Sequence, residues 1–272
     1  IMVNGLPGNV AKKMAEFAVS DNRFNIVPFS LTGQEITEDE VMIENVAITL
    51  VKPDVRDSQI KQIQKNNPNF IAIDYTHPTA VNANAKFYRQ NKIPFVMGTT
   101  GGDRDLLAQT VRDGETPAVI APNMAKQIVG FQAMMEFAAK TFPNLFEGYS
   151  LKVIESHQRM KADTSGTAKA VVACFNDLGA DFDVSDIEKV RDPEIQEKEW
   201  GIPEEHLDGH GWHTYTLTAP DGSALFEFKH NINGRDIYVS GTYDAVQYLT
   251  RKIETRDDTQ RLYTMINVLN GK

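Results

Sequence analysis

Ile1-Met2-Val3-Asn4-Gly5-Leu6-Pro7-Gly8-Asn9-Val10-Ala11 decides how the first half of this chain is read. A strand-like apolar run leads into a turn carrying two glycines, and the turn opens a helix-like pattern around Val10–Val19. A dinucleotide fingerprint has this form: a strand, a glycine-rich turn and the N-terminus of a helix. Gly5 would make the tight turn. Gly8 would let a pyrophosphate approach the N–H groups at the helix start. Ala11 takes the third, helix-packing position. The candidate contacts are Gly5, Leu6, Pro7, Gly8, Asn9 and Val10. A plain strand–turn–helix would carry the same residues, so the surroundings must decide.

Those surroundings repeat the rhythm. Short apolar runs recur at Phe24–Phe29, Val46–Val51, Phe70–Ile73, Phe95–Met97 and Ala118–Ala121. Helix-like stretches separate them around Ser58–Gln64, Ala80–Gln90 and Arg104–Val111. Runs that are apolar throughout, rather than alternating, suit parallel strands covered on both faces. The expectation is an α/β fold with a Rossmann-like parallel sheet over residues 1–122. Ligands bind outside the carboxyl ends of such strands. Asp74-Tyr75-Thr76-His77 and Gly98-Thr99-Thr100 therefore become candidate cofactor contacts, although His77 reads equally as an exposed loop residue and Gly98–Gly102 also fits a flexible turn. Pro28-Phe29-Ser30-Leu31-Thr32, at the second strand, has no carboxylate to repel a 2′-phosphate, so NADPH should be accepted, with NADH possible. Ser30, Thr32 and Lys12 are candidate phosphate contacts, each with a plain surface reading beside it.

After Pro122 the pattern changes. Ala125–Lys140 reads as one helix, and Leu151–Glu155, Trp212–Thr218, Ala224–His230 and Asp236–Gly241 read as strands, the later ones alternating. Helical spacing returns at Thr167–Leu178, Tyr243–Ile253 and Gln260–Leu269, and the polar stretch 191–210 reads as a long surface loop. This predicts a second, α+β mixed-sheet unit over 123–241, with a C-terminal helix over 242–272 returning to the first.

The chemistry concentrates in Glu155-Ser-His-Gln-Arg-Met-Lys-Ala-Asp-Thr-Ser-Gly-Thr167. His157 can carry a proton near neutral pH, Lys161 supplies a cation, and Ser165-Gly166-Thr167 opens a helix whose free N–H groups attract an anion. Gly166 is costly in a first helical turn unless something approaches its backbone. Two ordinary solvated loop residues are the competing reading of His157 and Lys161, and a cap alone is that of Ser165. Asp163 is either a partner of Lys161 or an extra cap. His206, His210 and His213 lack metal-ligand spacing, so no metal is expected. Glu227, Lys229 and His230 read as strand residues facing solvent, and Met134, Met135 and Cys174 as packing.

The 272 residues carry a net charge of −9 and a single cysteine. So acidic a chain argues against general nucleic-acid binding, and one cysteine suits a reducing compartment. No apolar run approaches the ~20 residues of a membrane span, and the first residues do not read as a signal peptide.

Together these motifs resemble the 4-hydroxy-tetrahydrodipicolinate reductase family. The resemblance is carried by Gly5…Gly8, Asp74-Tyr75-Thr76, Gly98-Thr99-Thr100-Gly101, Ala121-Pro122-Asn123, Glu155…His157…Lys161…Ser165-Gly166-Thr167 and the Leu262–Leu269 segment. Many bacterial members have two adjacent histidines and a proline before the serine; Gln158 and the shorter Asp163-Thr164-Ser165 resemble the plant-type branch instead. The resemblance implies an NAD(P)H-dependent reductase of a cyclic dicarboxylate in lysine and diaminopimelate synthesis. It further implies His157 as the acid, Lys161 as a substrate-binding and catalytic cation, and Ser165, Gly166 and Thr167 as a carboxylate site. Ala121, Pro122 and Asn123 join the cofactor contacts, and a homotetramer built through the second unit is expected. Cytoplasm is the expected compartment, with plastid stroma as the alternative. Another two-domain NAD(P)-dependent reductase, or a dinucleotide-binding sensor without turnover, stays open beside it.

Overall fold

In a computed structural model, which describes residues 1–255 and 259–271, the chain divides into two compact units, residues 1–126 with 236–272 and residues 127–235. In the first unit, β1 (Met2–Asn4), α1 (Asn9–Ser20), β2 (Phe29–Leu31), β3 (Glu40–Ile43), β4 (Val46–Val51), α2 (Arg56–Asn66) and β5 (Ala72–Asp74) follow in order. Next come α3 (Val81–Gln90), β6 (Phe95–Met97), α4 (Arg104–Arg112) and β7 (Ala118–Ile120). α5 (Lys126–Thr141) leads into the second unit, formed by β8 (Ser150–His157), α6 (Gly166–Asp177), β9 (Glu188–Val190), α7 (Pro193–Lys198), β10 (His210–Thr218) and β11 (Leu225–Asn233). α8 (Asp236–Thr255), β12 (Leu262–Tyr263) and α9 (Met265–Asn270) belong again to the first.

β1-β5-β6-β7-β12 form a parallel sheet in that order, and β2-β4-β3 a second ladder. The two meet at β1 and β2, where Val27 N–H donates to Ile1 O at 2.7 Å and Gly5 N–H to Leu31 O at 2.9 Å. The chain therefore runs outward from β1 through β2 to β4 and returns on the other side at β5. That reversal is the topological switch point where such sheets open a ligand crevice. β1, β5 and β6 are buried throughout, as apolar runs covered on both faces should be. Their core includes Met2, Ala72, Phe95, Met97, Tyr88 and Leu107.

In the second unit the sheet order is β11-β10-β8-β9, antiparallel except for the parallel β8–β9 pair. One face packs on α5 and α6 through Val153, Tyr215, Leu217, Val172 and Phe175. Met135 and Cys174 are buried there, whereas Met134 is exposed.

Four expectations need correction. Asp236–Gly241 is not a strand but the first turns of α8; its β-branched residues belong to a helical face on which Val239, Tyr243, Val246 and Leu249 are buried. The C-terminal span 242–272 is not one helix, for β12 intervenes and joins the sheet edge beside β7, and residues 256–258 and 272 lie outside the described residues. The second strand starts only at Phe29, because Pro28 has no N–H to give a ladder. Finally, 191–210 is not a bare surface loop. It holds α7, capped by Asp192 and opened by Pro193, a signature of helix starts, and it buries Gln196 and His210 completely or nearly so.

Gly241 is the glycine of the first unit with the least room for a side chain. A Cβ there would fall 1.9 Å from Met124 O. Alanine is normally better than glycine in a helix interior by ~1 kcal/mol, but here it overpacks α8 against the loop after β7. Gly241→Ala is expected to lose about 1–3 kcal/mol, read as a lowered thermal midpoint; a raised midpoint would contradict this packing.

Candidate active site

In the first unit, a buried polar hub organises the loops at the carboxyl ends of β1, β5 and β6. The Asp74 carboxylate is fully buried and accepts from Thr76 N–H (3.0 Å), Thr76 Oγ1 (2.7 Å), Thr99 Oγ1 (2.9 Å), Asn84 Nδ2 (3.1 Å) and Tyr88 OH (2.6 Å). Asn4 donates to Tyr88 OH at 2.9 Å and accepts from Leu31 N–H at 2.8 Å, tying β2 to the hub. Asp74 is thus wholly engaged by protein, and what its loop offers a ligand is backbone. Asn4, Asn84 and Tyr88 escaped the sequence reading, since no local pattern marks a polar residue that answers a partner on another element.

The glycine turn is likewise shaped by its neighbours. Gly5 has φ +106°, and a Cβ on it would lie 2.3 Å from Tyr75 O. Gly98 makes room for the Tyr75 ring, 2.4 Å from where its Cβ would be. Leu6 is buried, its N–H held by Ser30 Oγ (3.2 Å) and its carbonyl by Thr32 Oγ1 (2.7 Å). Ser30 and Thr32 therefore brace the turn, and their burial corrects the plain surface reading of both. Pro7, Gly8 and Asn9 are exposed at the start of α1, whose first-turn N–H groups have no intrahelical acceptor. Val10 is half-buried beside them and Thr100 is exposed. Ala121 is buried, Pro122 exposed, and Asn123 accepts from Ala125 N–H at 2.9 Å to start α5. His77 caps a short turn through Thr79 N–H. The end of β2 is less neutral than the sequence suggests: Glu35 folds back so that its Oε1 lies 2.1 Å from where a Cβ on Gly33 would stand.

In the second unit, β8 delivers Glu155 and His157, and the turn after it delivers Lys161 and the start of α6. Glu155 is fully buried, ion-paired with Arg191, and accepts Ser165 N–H at 2.9 Å. Arg191 also donates to Lys161 O at 2.8 Å and to Glu155 O at 3.3 Å. Segment 158–165 is thereby fastened at its middle, Lys161, and at its far end, Ser165. Lys161 Nζ donates to Asp163 at 2.8 Å, which holds the Asp163 carboxyl below its usual range and settles Asp163 as the partner of Lys161. Ser165 occupies the N-cap position of α6 without a side-chain capping bond. Apart from its chain neighbours and the backbone of its own helix, no protein atom lies within 4 Å of a Cβ built on Gly166, so packing against the rest of the protein does not require glycine there. The space is open for a ligand at the first-turn amides of Gly166 and Thr167.

Three histidine rings, those of His157, His213 and His230, cluster on β8, β10 and β11. His157 Nδ1 lies 3.1 Å from His210 O, and its Nε2 lies 3.0 Å from His213 Nε2. His230 corrects its solvent-facing reading: half-buried, it pairs across the strands with His213, ring centroids 4.6 Å apart. Burial pushes all of them down. His157 falls to about 4, with Arg191 and Lys161 adding to the effect and Glu155 opposing it. His230 falls to about 4, and His213 to about 2, where the neighbouring histidines contribute after burial. An unfolded histidine titrates near 6.5, so below that the unfolded chain binds protons that the fold refuses, and stability rises with pH. The thermal midpoint is expected to fall as pH drops from about 6.5 toward 4; a flat midpoint over that window would contradict these environments. Among the described residues, Glu155, His157 and His213 are the one trio whose possible metal-ligating atoms come together, within 4.8 Å. Arg191 already neutralises Glu155 and the two imidazoles bond each other, so the trio is satisfied as protein and fits an added cation poorly.

A parallel sheet with a glycine turn at its switch point, carried on one chain with a histidine, a lysine and an open helix start on a mixed sheet, is the build of a two-unit dinucleotide-dependent oxidoreductase. Models of the dihydrodipicolinate reductase N-terminus and C-terminus match residues 1–124 and 128–269. The chain belongs to the dihydrodipicolinate reductase family. It is 48% identical over 269 residues to the probable 4-hydroxy-tetrahydrodipicolinate reductase 1, chloroplastic, of Oryza sativa subsp. japonica, covering 99% of this chain and 78% of that one. The 4-hydroxy-tetrahydrodipicolinate reductase 1, chloroplastic, of Arabidopsis thaliana is 47% identical, with 99% and 77% covered. Among solved structures, a dipicolinate-bound dihydrodipicolinate reductase from Paenisporosarcina sp. TG-14 shares the fold: TM-score 0.66, 18% identity, 97% of this chain and 96% of that one.

Proposed function

We propose that this protein reduces 4-hydroxy-tetrahydrodipicolinate to tetrahydrodipicolinate in lysine and diaminopimelate synthesis, with NADPH as the reductant and NADH as a possible substitute. One observation carries the reading: Lys161, the open α6 start at Gly166 and His157 converge in segment 155–167, fastened by the buried Glu155–Arg191 pair. A nicotinamide held at Gly98–Thr100 and Ala121–Asn123 would supply hydride to the ring carbon–carbon double bond left by loss of water. The amides of Gly166 and Thr167, with the Ser165 hydroxyl, take a ring carboxylate, and Lys161 adds a fixed positive charge. His157 delivers a proton from Nε2 to the ring carbon next to the hydride acceptor. Because burial keeps His157 neutral near pH 7, a negatively charged substrate beside it must raise its proton affinity.

For the nucleotide, the α1 start and the loops at Asp74–Thr76, Gly98–Thr100 and Ala121–Asn123 are the contacts. The exposed Pro7–Asn9 backbone and the first-turn amides of α1 support a pyrophosphate there. Glu35 is the residue that would oppose a 2′-phosphate. Glu35→Gln is expected to lower KM for NADPH several-fold, since one screened charge is worth roughly 1 kcal/mol, and to leave KM for NADH unchanged. Equal shifts for both cofactors would remove Glu35 from this role.

The four plant relatives carry "chloroplastic" in their names, which favours plastid stroma over cytoplasm. Homotetramer assembly through the second unit is supported by the exposed Leu225 and Phe226 on the edge strand β11 and by Phe137 on α5. Sedimentation should return about four times 30.4 kDa. The activity itself is tested by generating the substrate with its synthase and following NADPH consumption. Oxidation that depends on the synthase supports the reading. Cofactor binding without oxidation would point to the sensor instead.

A further inference from the structure

The strongest unassigned arrangement is the string of hydrogen bonds that runs through His157 into the sheet. A carbonyl only accepts, so the 3.1 Å contact to His210 O puts the ring proton of His157 on Nδ1. A neutral His157 then has only a lone pair on Nε2, and the 3.0 Å contact to His213 requires His213 to donate from its Nε2–H. His213 is left with a lone pair on Nδ1, facing the hydroxyl of fully buried Tyr215 at 3.4 Å. One tautomer per ring satisfies all three contacts. His210 is locked separately: its Nδ1 faces the carbonyls of His206 and Leu207, both at 3.1 Å, and its Nε2 accepts from Ser156 Oγ at 2.8 Å.

We propose that His213 is the positioning residue for His157: its Nε2–H occupies the one lone pair of the nitrogen proposed to serve the substrate, and so holds that nitrogen unprotonated, in the Nδ1–H tautomer that the His210 carbonyl sets, until the contact gives way to substrate. A donor facing Nε2 stabilises the neutral ring and opposes the imidazolium, whose own Nε2–H would meet the His213 N–H head-on. Other groups around the ring act by charge alone: Glu155 on β8 favours the proton, while Arg191 after β9 and Lys161 in the turn after β8 oppose it. His230 on β11 faces His213 and adds no donor to His157. None of these meets Nε2: the His210 carbonyl sets the tautomer from the Nδ1 side, and His213 guards Nε2 by geometry. Tyr215 in turn keeps His213 the right way round.

The proposal rests on His157 as the proton donor of the reductase reading, and its test separates the two. In ligand-free protein with ¹⁵N-labelled histidine, long-range ¹H–¹⁵N correlation is expected to show His157 protonated at Nδ1 and His213 at Nε2 near neutral pH. His213→Leu removes the donor and keeps the bulk, so the His157 midpoint should rise by roughly one unit, a tenfold gain in proton affinity. In His213→Gln the amide Nε2 can still donate, and the midpoint should stay near the wild-type value. The acid-side inflection of kcat/KM should move in the leucine variant and return in the glutamine variant, with KM for the nucleotide unchanged. His157 found as the Nε2–H tautomer in the wild-type protein, or one common midpoint in both variants, would overturn the assignment. The wild-type tautomer decides it even if a variant fails to fold. A correct tautomer in a protein that does not oxidise NADPH would sink the reductase reading and leave the His213 assignment standing.

Discussion

His157→Gln is expected to lower kcat by about 10²–10⁴-fold, the range for loss of a positioned proton donor, while NADPH binds as before. The split follows from the architecture. His157 stands at the end of β8, in the unit that holds none of the proposed nucleotide contacts. Glutamine keeps a polar side chain of similar reach, so the loss reports proton transfer and not packing. The pH dependence sharpens the expectation. Burial holds the free-protein value of His157 near 4, so an acid that must be protonated should make kcat/KM climb as pH falls from neutral toward that value. The glutamine variant should lack the climb. Steady-state rates across pH, with NADPH affinity measured by fluorescence titration, check both halves. A variant within a few-fold of wild type would remove His157 from the chemistry.

The second large effect concerns a residue that touches no ligand in this account. Glu155→Gln leaves the Arg191 guanidinium, only 17% exposed at its side chain, without its counter-charge. Breaking one side of a buried pair is worth about 3–5 kcal/mol, so chemical denaturation should show a loss of that order. The same pair anchors Ser165 N–H and the Lys161 carbonyl, so KM for the dicarboxylate should rise as well. Replacing both partners, Glu155→Leu with Arg191→Met, should restore much of the stability, since no charge is then stranded. It should not restore KM, because segment 158–165 has still lost its fastening. Recovery of both together would mean that the pair serves stability alone.

Periodicity carried most of the first unit. The apolar runs at Phe70–Ile73 and Phe95–Met97 announce β5 and β6 because both faces of those strands are covered, and the glycine turn after β1 is legible because its backbone needs Gly5. Periodicity failed at Asp236–Gly241, where Ile237, Tyr238 and Val239 look strand-like yet wind around the first turn of α8, with only Val239 of the three on its buried face. It failed again at 191–210, where buried Gln196 donates to His157 O at 2.8 Å and Val190 O at 3.1 Å, a polar role that no hydrophobic pattern encodes. In segment 155–167 the residue types suggested the chemistry. What could not be read was the support: Arg191 reaches Glu155 across 36 residues and His213 reaches His157 across 56. The one partial signal was Glu155 itself, a carboxylate directly after the apolar pair Val153-Ile154 in a strand, which if buried demands a cation somewhere in the chain.

The central claim is hydride transfer to a cyclic dicarboxylate, and one experiment reads it without inference. The protein is supplied with NADPH carrying two deuterium atoms at the nicotinamide C4, together with the substrate formed in place by its synthase, and the product is weighed by mass spectrometry. The account predicts tetrahydrodipicolinate one mass unit heavier than the product made with ordinary NADPH, in the wild-type protein, and little product at all with His157→Gln. Product of unchanged mass, or deuterated cofactor left unconsumed by the wild-type protein, would contradict it.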